Sequence, residues 1–536
     1  MAPKRKVNSK TASNKKAKVE EHLSIENIEE IGETIVEKSS YNDITKLLDQ
    51  YQLIKKILIK EENTEIESLG RQLSISLFQV FTKLIKKGLT TIRKADDEKR
   101  IILVKWIINK YDDFKENLCW FITNKLSYKS SLQLDCLDIL LKLIKIESSN
   151  NVNDKYFPLI TYRKLVEGLL LSQNGEIVND TSDNFIILEF MESFQKHYDL
   201  QFYFFQDLSK FLDDNKDSKD LIFSNFYLII KSPLLLIGND DASELSTYVK
   251  NPPSAISKTS TFKHNYQQSI NSILSYDLSI NQYKTILSIM NKRILPLLSK
   301  PSNLMDFLTD CYNLNSNLII QILSLNSLYE LMKTYNLEYP DFYKKLYSLL
   351  TPELLINRYR SRFFRLCDLF LTSTHLSANL VASFIKKLAK LSIASSASGT
   401  IIVIPFIYNL LKRHPSCMIM IHNTEVSNDY QDPYNDEEED PLKTQAIHSS
   451  LWELEALMNH YHPNISTLSA IFKEPFRKPN YNLEDFLDWS YKSLLDSELN
   501  KRYRTMTALE YENWDYLFDS NDKDEQKTCY LEGWTL

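Results

Sequence analysis

Glycine is the residue this chain does almost without: 8 in 536 positions, roughly a fifth of the usual share of about 7%. Two-residue hairpin turns need residues at positive φ, and phosphate-cradling loops need backbone free of side chains. An all-β fold, a dinucleotide fingerprint and a P-loop are therefore disfavoured together, and the sequence contains none of the corresponding motifs. With 43% hydrophobic and 25% charged residues, the chain buries a large core, as several domains or as one long array. Cys119, Cys136, Cys311, Cys367, Cys417 and Cys529 stand singly, with no CxxC, which fits a reducing compartment. No apolar leader segment opens the sequence. The longest apolar stretch, from Leu221, is interrupted by Asn225, Lys231 and Pro233 and reads as a buried helix rather than a span of about 20 apolar residues.

From about residue 24 the apolar positions recur at three and four. Leu69, Leu73, Leu77, Val80, Phe81, Leu84 and Ile85 form one such stripe, closed by Gly88 as a C-cap. Similar units run around Ile101 to Tyr111 and Leu132 to Ile146, with polar breaks beginning at Glu147, Ser172 and Asn251. Serial amphipathic helices joined by short loops read as an all-α fold, an irregular HEAT-like helical-repeat solenoid behind a basic disordered N-terminal tail. A compact bundle is the alternative. The expected divisions are a tail over 1–20, an N-terminal helical-repeat region over 21–300, a C-terminal helical domain over 301–520 and a second tail over 521–536.

The first eighteen residues hold seven lysines or arginines and no acid. Two clusters, Lys4, Arg5, Lys6 and Lys15, Lys16, Lys18, suit a nuclear import signal. A solubilising or RNA-touching tail is the competing reading. With those seven cations set aside, 57 basic residues face 70 acidic ones, a formal charge of −13. The body is not a generally nucleic-acid-coating surface.

The second half carries sharper signals. Pro340 and Asp341 read as a helix start, and Thr351 as the cap of a helix with Pro352 at its first position. Beyond it, Tyr359, Phe363, Leu366 and Phe370 form an apolar stripe, and Arg358, Arg362 and Arg365 stack on another face at four and three. Lys386, Lys387 and Lys390 follow on the next helix. Such a row is commonly a solvated or paired face; its functional reading is contact with RNA phosphates or an acidic partner. The acidic run from Asp429 to Asp440 reads as a solvated loop. Asp440 and Pro441 are expected to start a helix reaching Tyr461, with Ile447, Leu451, Leu454, Met458 and Tyr461 as its apolar seam, and Asn482 to cap another.

Five of the nine histidines lie between residues 414 and 462, close to Cys417. Reading His414, Cys417, His422, His460 and His462 as zinc ligands fails on spacing, since structural sites present paired ligands such as CxxC or HxxxH. Cys417 lies in the run CMIMI, where a small buried residue is the ordinary explanation, so a nucleophile is weaker still. The structural reading takes the segments His414, Pro415, Ser416 and His460, His462, Pro463, Asn464 as helix corners. A residue before proline is biased away from the α region, and Ser416 and Asn464 stand where the next helix wants a cap.

The stretches YPDFYKKLYSLL, RYRSRFFRLCDLFLTSTHL, VASFIKKLAKLS, IPFIYNLLKRHPSCM, DPLKTQAIHSSLWELEALMNHYHPN and KPNYNLEDFLDWSY occur in that order. Together, over roughly residues 320 to 495, they resemble the C-terminal domain of the CCAAT-binding-factor family of nucleolar ribosome-assembly proteins. The resemblance implies a non-catalytic helical-repeat protein of the nucleolus and nucleus, without cofactor, that supports the small-subunit processome. It also implies a stable pairing with nucleolar protein fourteen, within a pre-ribosomal particle holding pre-rRNA and small nucleolar RNA. It implies neither a membrane nor a small-molecule substrate. A partner helix laid in an apolar groove is the natural contact for such a surface, and Trp452, Leu454, Met458, Tyr481, Phe486 and Trp489 are the residues expected to form it. A nuclear transport receptor and a DNA-binding transcription factor are the rival readings; the acidic body and the lack of a groove-reading motif disfavour the second.

Overall fold

The computed structural model describes residues 24–502 apart from 92–97, 127, 151–154, 176, 179–180, 207, 235–245, 315–316, 336–340, 374 and 424–429. The basic clusters from Lys4 to Lys18, Pro340 and the segment beyond 502 lie outside the described residues. The chain forms two compact units, divided between Pro340 and Asp341.

The first unit begins with α1 (Ile25–Lys38), α2 (Asp43–Leu58), α3 (Thr64–Lys86), α4 (Glu98–Thr123), α5 (Ser131–Ser149), α6 (Leu159–Leu170) and α7 (Phe185–Lys196). Helices α1, α3, α5 and α7 touch in succession, and α2, α4 and α6 do the same in a second row, with α2 on α3 and α4 on α5 joining the rows. Each helix thus meets its near neighbours in sequence, which is how a helical-repeat solenoid is built. The anticipated stripe of α3 supplies buried Leu73, Leu77, Val80, Phe81, Leu84 and Ile85. Gly88 follows at φ 72°, its N–H donating to the Ile85 carbonyl and that of Leu89 to the Leu84 carbonyl. These are the two bonds of a Schellman stop, which needs a residue at positive φ.

The unit continues through α8 (Tyr198–Phe204), α9 (Leu208–Asp214), α10 (Lys219–Lys231), α11 (Thr259–Leu274), α12 (Ile280–Ile289), α13 (Met305–Asn313) and α14 (Leu318–Tyr335). Helix α10 carries most of the apolar stretch from Leu221, buries Ile222, Phe223, Phe226, Ile229 and Ile230, and packs on α6 and α7. Extended pairing among the described residues is confined to Ile177–Val178 against Thr181–Ser182.

The second unit contains α15 (Phe342–Ser348), α16 (Pro352–Ile356), α17 (Arg360–Phe370), α18 (Ala378–Ile393) and α19 (Ala397–Arg413). The short helices α20 (Trp452–Leu457), α21 (Pro463–Ser469), α22 (Glu484–Leu487) and α23 (Tyr491–Leu499) complete it. Helix α19 is buried without interruption from Ala397 to Leu411. A helix that is apolar on all faces needs neighbours on all faces; α16, α18, α21, α22 and α23 supply them.

Three local expectations are corrected. Thr351 precedes Pro352 as anticipated, but its hydroxyl makes no capping bond and is buried without a partner among the described residues. Asn482 accepts from the Glu484 N–H at 3.3 Å, yet the helix it precedes is the single turn α22. The long helix from Pro441 to Tyr461 does not form. Asp440 instead closes a turn by accepting from the Leu442 N–H, Gln445 takes φ 56°, a single 3-10 turn covers Ala446–His448, and α-helix starts only at Trp452. Helix α18 competes for the backbone: Ser383 donates to the Pro441 carbonyl and meets the Thr444 hydroxyl, both at 2.5 Å, while Lys386 takes the Ser450 carbonyl at 2.7 Å. Tertiary bonds thus occupy polar groups around which a helix would have to turn, and the seam is divided: Leu451 and Leu454 are buried and Tyr461 is 79% exposed.

Candidate functional site

The acidic run is not simply solvated. Asp432 stands 3.6 Å from the Lys386 ammonium and Asp436 2.8 Å from that of Lys390, so the segment lies along one face of α18. Lys386 itself is buried and pairs with Glu453 at 2.6 Å. Lys387 donates to the Tyr347 carbonyl and sits 4.0 Å from the centre of the Tyr347 ring. Burial pulls the Lys387 pKa below the usual lysine value, with Asp436 and Glu439 opposing that shift. The anticipated lysine row is thereby used inside the unit.

The arginine row is divided as well. Helix α17 begins at Arg360, so Arg358 stands in the preceding turn rather than on the helical face. Arg365 is held by Glu484 through two bonds of 2.7 and 2.6 Å, while Arg358 and Arg362 are exposed.

Histidines at the corners bond locally. His414 ends α19, and its Nε2 lies 3.0 Å from the Leu371 carbonyl. Pro415 and Ser416 open a six-residue 3-10 turn, and the buried Cys417 thiol points at the Ala378 carbonyl. The cap positions fall two residues before those expected, at His414 and His462 rather than Ser416 and Asn464. His462, followed by Pro463, caps α21 by accepting the Asn464 N–H at its Nδ1, 3.2 Å away, so Asn464 donates rather than caps. His460 accepts the His462 N–H and lies beside the Tyr461 ring at 4.3 Å. Among the described residues no cluster of three His, Cys, Asp or Glu side chains is placed to hold a metal ion.

The six residues expected to meet a partner are distributed over three places. Trp452, Leu454 and Met458 line one groove of about 320 Å³ with Met420, Ile421, Leu451 and Phe472. Its wall is tied together by the Leu451 N–H donating to the Met420 carbonyl at 3.1 Å. Trp452 is 53% exposed there. Tyr481 and Phe486 instead anchor the C-terminal segment. The Asn409 side chain both donates to the Tyr481 carbonyl and accepts its N–H, and the Tyr481 ring lies 4.9 Å from that of Tyr408.

Trp489 lines a second cleft, of about 400 Å³, with Arg358, Arg360, Ser361, Ser396, Ser398, Ser490 and Tyr491. Sequence reading missed Met420 and Phe472 in the groove and Arg360 and Tyr491 in the cleft. Met420 and Phe472 are distant from Trp452 in sequence; Arg360 is visible in RYRSR but lies off the four-and-three spacing of Arg358, Arg362 and Arg365.

Two family descriptions match this chain: "Nucleolar complex protein 4-like, TPR repeats" over residues 16–217 and "CBF/Mak21 family" over residues 321–469. Among similar proteins, nucleolar complex protein 4 of Saccharomyces cerevisiae is 42% identical over 95% of this chain and 99% of its own length. Nucleolar complex protein 4 homolog B of Xenopus laevis is 33% identical over 76% of this chain and 77% of its own. The Homo sapiens homolog is 41% identical over 45% of this chain and 46% of its own.

Proposed function

This chain belongs to the nucleolar complex protein 4 family, and from that premise we propose that it is a non-catalytic ribosome-assembly factor of the nucleolus. In this reading it serves the small-subunit processome, supporting pre-rRNA processing and small-subunit maturation and export as a helical scaffold. It is imported through its basic N-terminal clusters and works paired with nucleolar protein fourteen inside a particle carrying pre-rRNA and small nucleolar RNA.

The observation that carries the reading is the near end-to-end similarity to a relative named for a nucleolar complex. The groove gives it a mode of action. Trp452 stands half out of a floor containing Met420, Leu454, Met458 and Phe472. Methionines adapt to the side chains of an inserted helix, and a central tryptophan is the residue type that most often dominates such contacts.

Tagged protein recovered from nuclear extract, with bound proteins and RNAs both identified, tests the proposal. The expected recovery is small-subunit precursor RNA with one near-stoichiometric protein partner. Trp452→Ala is expected to lose that partner while the protein stays folded, since the side chain is half exposed. Promoter DNA or nucleotide-sensitive cargo in place of precursor RNA would overturn the function and leave the fold standing.

A further inference from the structure

The cleft between α17, α19 and α23 is chemically unlike the apolar groove. Arg360 is half-buried in it, and its guanidinium donates to two backbone carbonyls, those of Leu355 at 3.2 Å and Trp489. No carboxylate lies within ion-pair distance of it among the described residues. Burial pushes its pKa below the usual arginine value, with Tyr491 opposing. Arg358 stands exposed at the same cleft. The one carboxylate among the lining residues, Asp488, is 83% exposed and lies 3.9 Å from Arg365. Two guanidinium groups therefore face a single, well-solvated acid.

Hydroxyls and a helix end add to this field. Ser396 precedes α19 but makes no capping bond; its hydroxyl meets that of Ser398 at 3.2 Å. The 17-residue helix thus brings an uncapped, positive end to the cleft. Trp489 and Tyr491 line the same space, Tyr491 with 56% of its surface exposed. Guanidinium groups and hydroxyls suit a phosphate, and aromatic side chains beside them suit a stacked base. About 400 Å³ lies within the usual range for a ligand site.

We propose that this cleft binds a nucleotide of single-stranded RNA, with the phosphate held by Arg358, Arg360 and the Ser396–Ser398 end of α19, and the base stacked on Tyr491 and Trp489. A phosphorylated peptide would use the same cations but would leave the two aromatic rings without a role. The site is separate from the protein-docking groove and does not rest on it. It also reconciles RNA contact with an acidic body, because the cationic surface required is local.

The test uses the purified full chain and a fluorescein-labelled ten-nucleotide oligouridine, read by anisotropy at about 100 mM salt. Arg358→Glu and Tyr491→Ala alter exposed side chains and spare Arg360, whose carbonyl bonds hold the local backbone. Arg358→Glu is expected to weaken binding about tenfold and to flatten the salt dependence by about 0.7 in log–log slope. Tyr491→Ala is expected to weaken it at least about fivefold. Lys56→Glu, an exposed charge reversal in the other unit, is expected to leave binding unchanged. Three outcomes would overturn the proposal: no oligouridine binding by the unaltered chain up to about 100 μM; equal binding by the unaltered, Arg358→Glu and Tyr491→Ala proteins; or a loss with Lys56→Glu as large as with Arg358→Glu. A phosphoserine peptide bound in place of the RNA, and lost with Arg358→Glu, would show that the cleft serves a different class of partner.

Discussion

Lys386 on α18 and Glu453 on α20 face each other with 2.6 Å between ammonium nitrogen and carboxylate oxygen, their side chains 2% and 1% exposed. The lysine also holds the Ser450 carbonyl, and the second oxygen of Glu453 has no donor among the described residues. Buried charge tolerates the loss of both partners far better than the loss of one. Lys386→Met alone is expected to cost about 3–5 kcal/mol, and the pair Lys386→Met with Glu453→Leu to recover most of it. Urea unfolding of the three proteins, followed by tryptophan fluorescence, checks this; equal losses in the single and double variants would count against it.

Glu67 fastens α3 to the start of α5. Its carboxylate accepts from the hydroxyls of Ser130, Ser131 and Tyr128 at 2.7–3.0 Å and from the Leu132 N–H at 3.3 Å. Burial alone would raise its pKa; those four bonds outweigh burial and bring it below 4.5. Folding therefore favours the ionised form. The stabilisation is complete above the unfolded value and is lost as the pH falls through the lower folded value. Glu67→Gln is expected to cost about 1–3 kcal/mol at pH 7 and to leave a smaller acid-induced loss in the variant, measured by denaturation at pH 7 and pH 4.

Lys55 presents the opposite sign. Buried against the Trp120 ring at 4.6 Å and bonded to Asn117 at 2.6 Å, it has its pKa pulled down to about 8 by burial, with Cys136 and Glu116 opposing. Between about pH 8 and the ordinary value of 10.5 the unfolded chain binds more protons than the folded one, so stability rises with pH across that window. Lys55→Met is expected to gain about 1–2 kcal/mol at pH 7 after solvent screening and to remove that rise. Thermal unfolding at pH 7 and pH 9.5 provides the comparison.

Gly399 permits α19 to pass α16. A Cβ there would stand 2.9 Å from the Leu355 carbonyl oxygen and 3.1 Å from its Cβ. Backbone cannot rotate out of the way, so Gly399→Ala is expected to destabilise by about 1–3 kcal/mol despite the better helix propensity of alanine. A rise in melting temperature would refute the close approach. The same oxygen accepts from Arg360, so the substitution should also weaken RNA binding in the cleft.

Much of the architecture was legible because helices announce themselves locally. The stripe from Leu73 to Ile85 and the stop at Gly88 are each decided within a few residues, and the structure contains both. The segment from Pro441 to Tyr461 shows where that reasoning ends. Its three-and-four spacing is real, but Ser383 and Lys386, more than fifty residues earlier, hold its backbone and side chains in turns.

The sequence by itself determined the all-α class, because scarce glycine and regular apolar spacing act through local backbone preferences. It also marked the residue types from which the candidate sites are made. Only the tertiary structure decided which of those residues share a surface. It brought Met420 and Phe472 beside Trp452, separated Trp489 from that group, paired Lys386 with Glu453, and left Arg360 without a carboxylate partner among the described residues. Contacts between residues far apart in the chain depend on how whole helices pack, and a spacing rule that spans one or two turns holds no information about them.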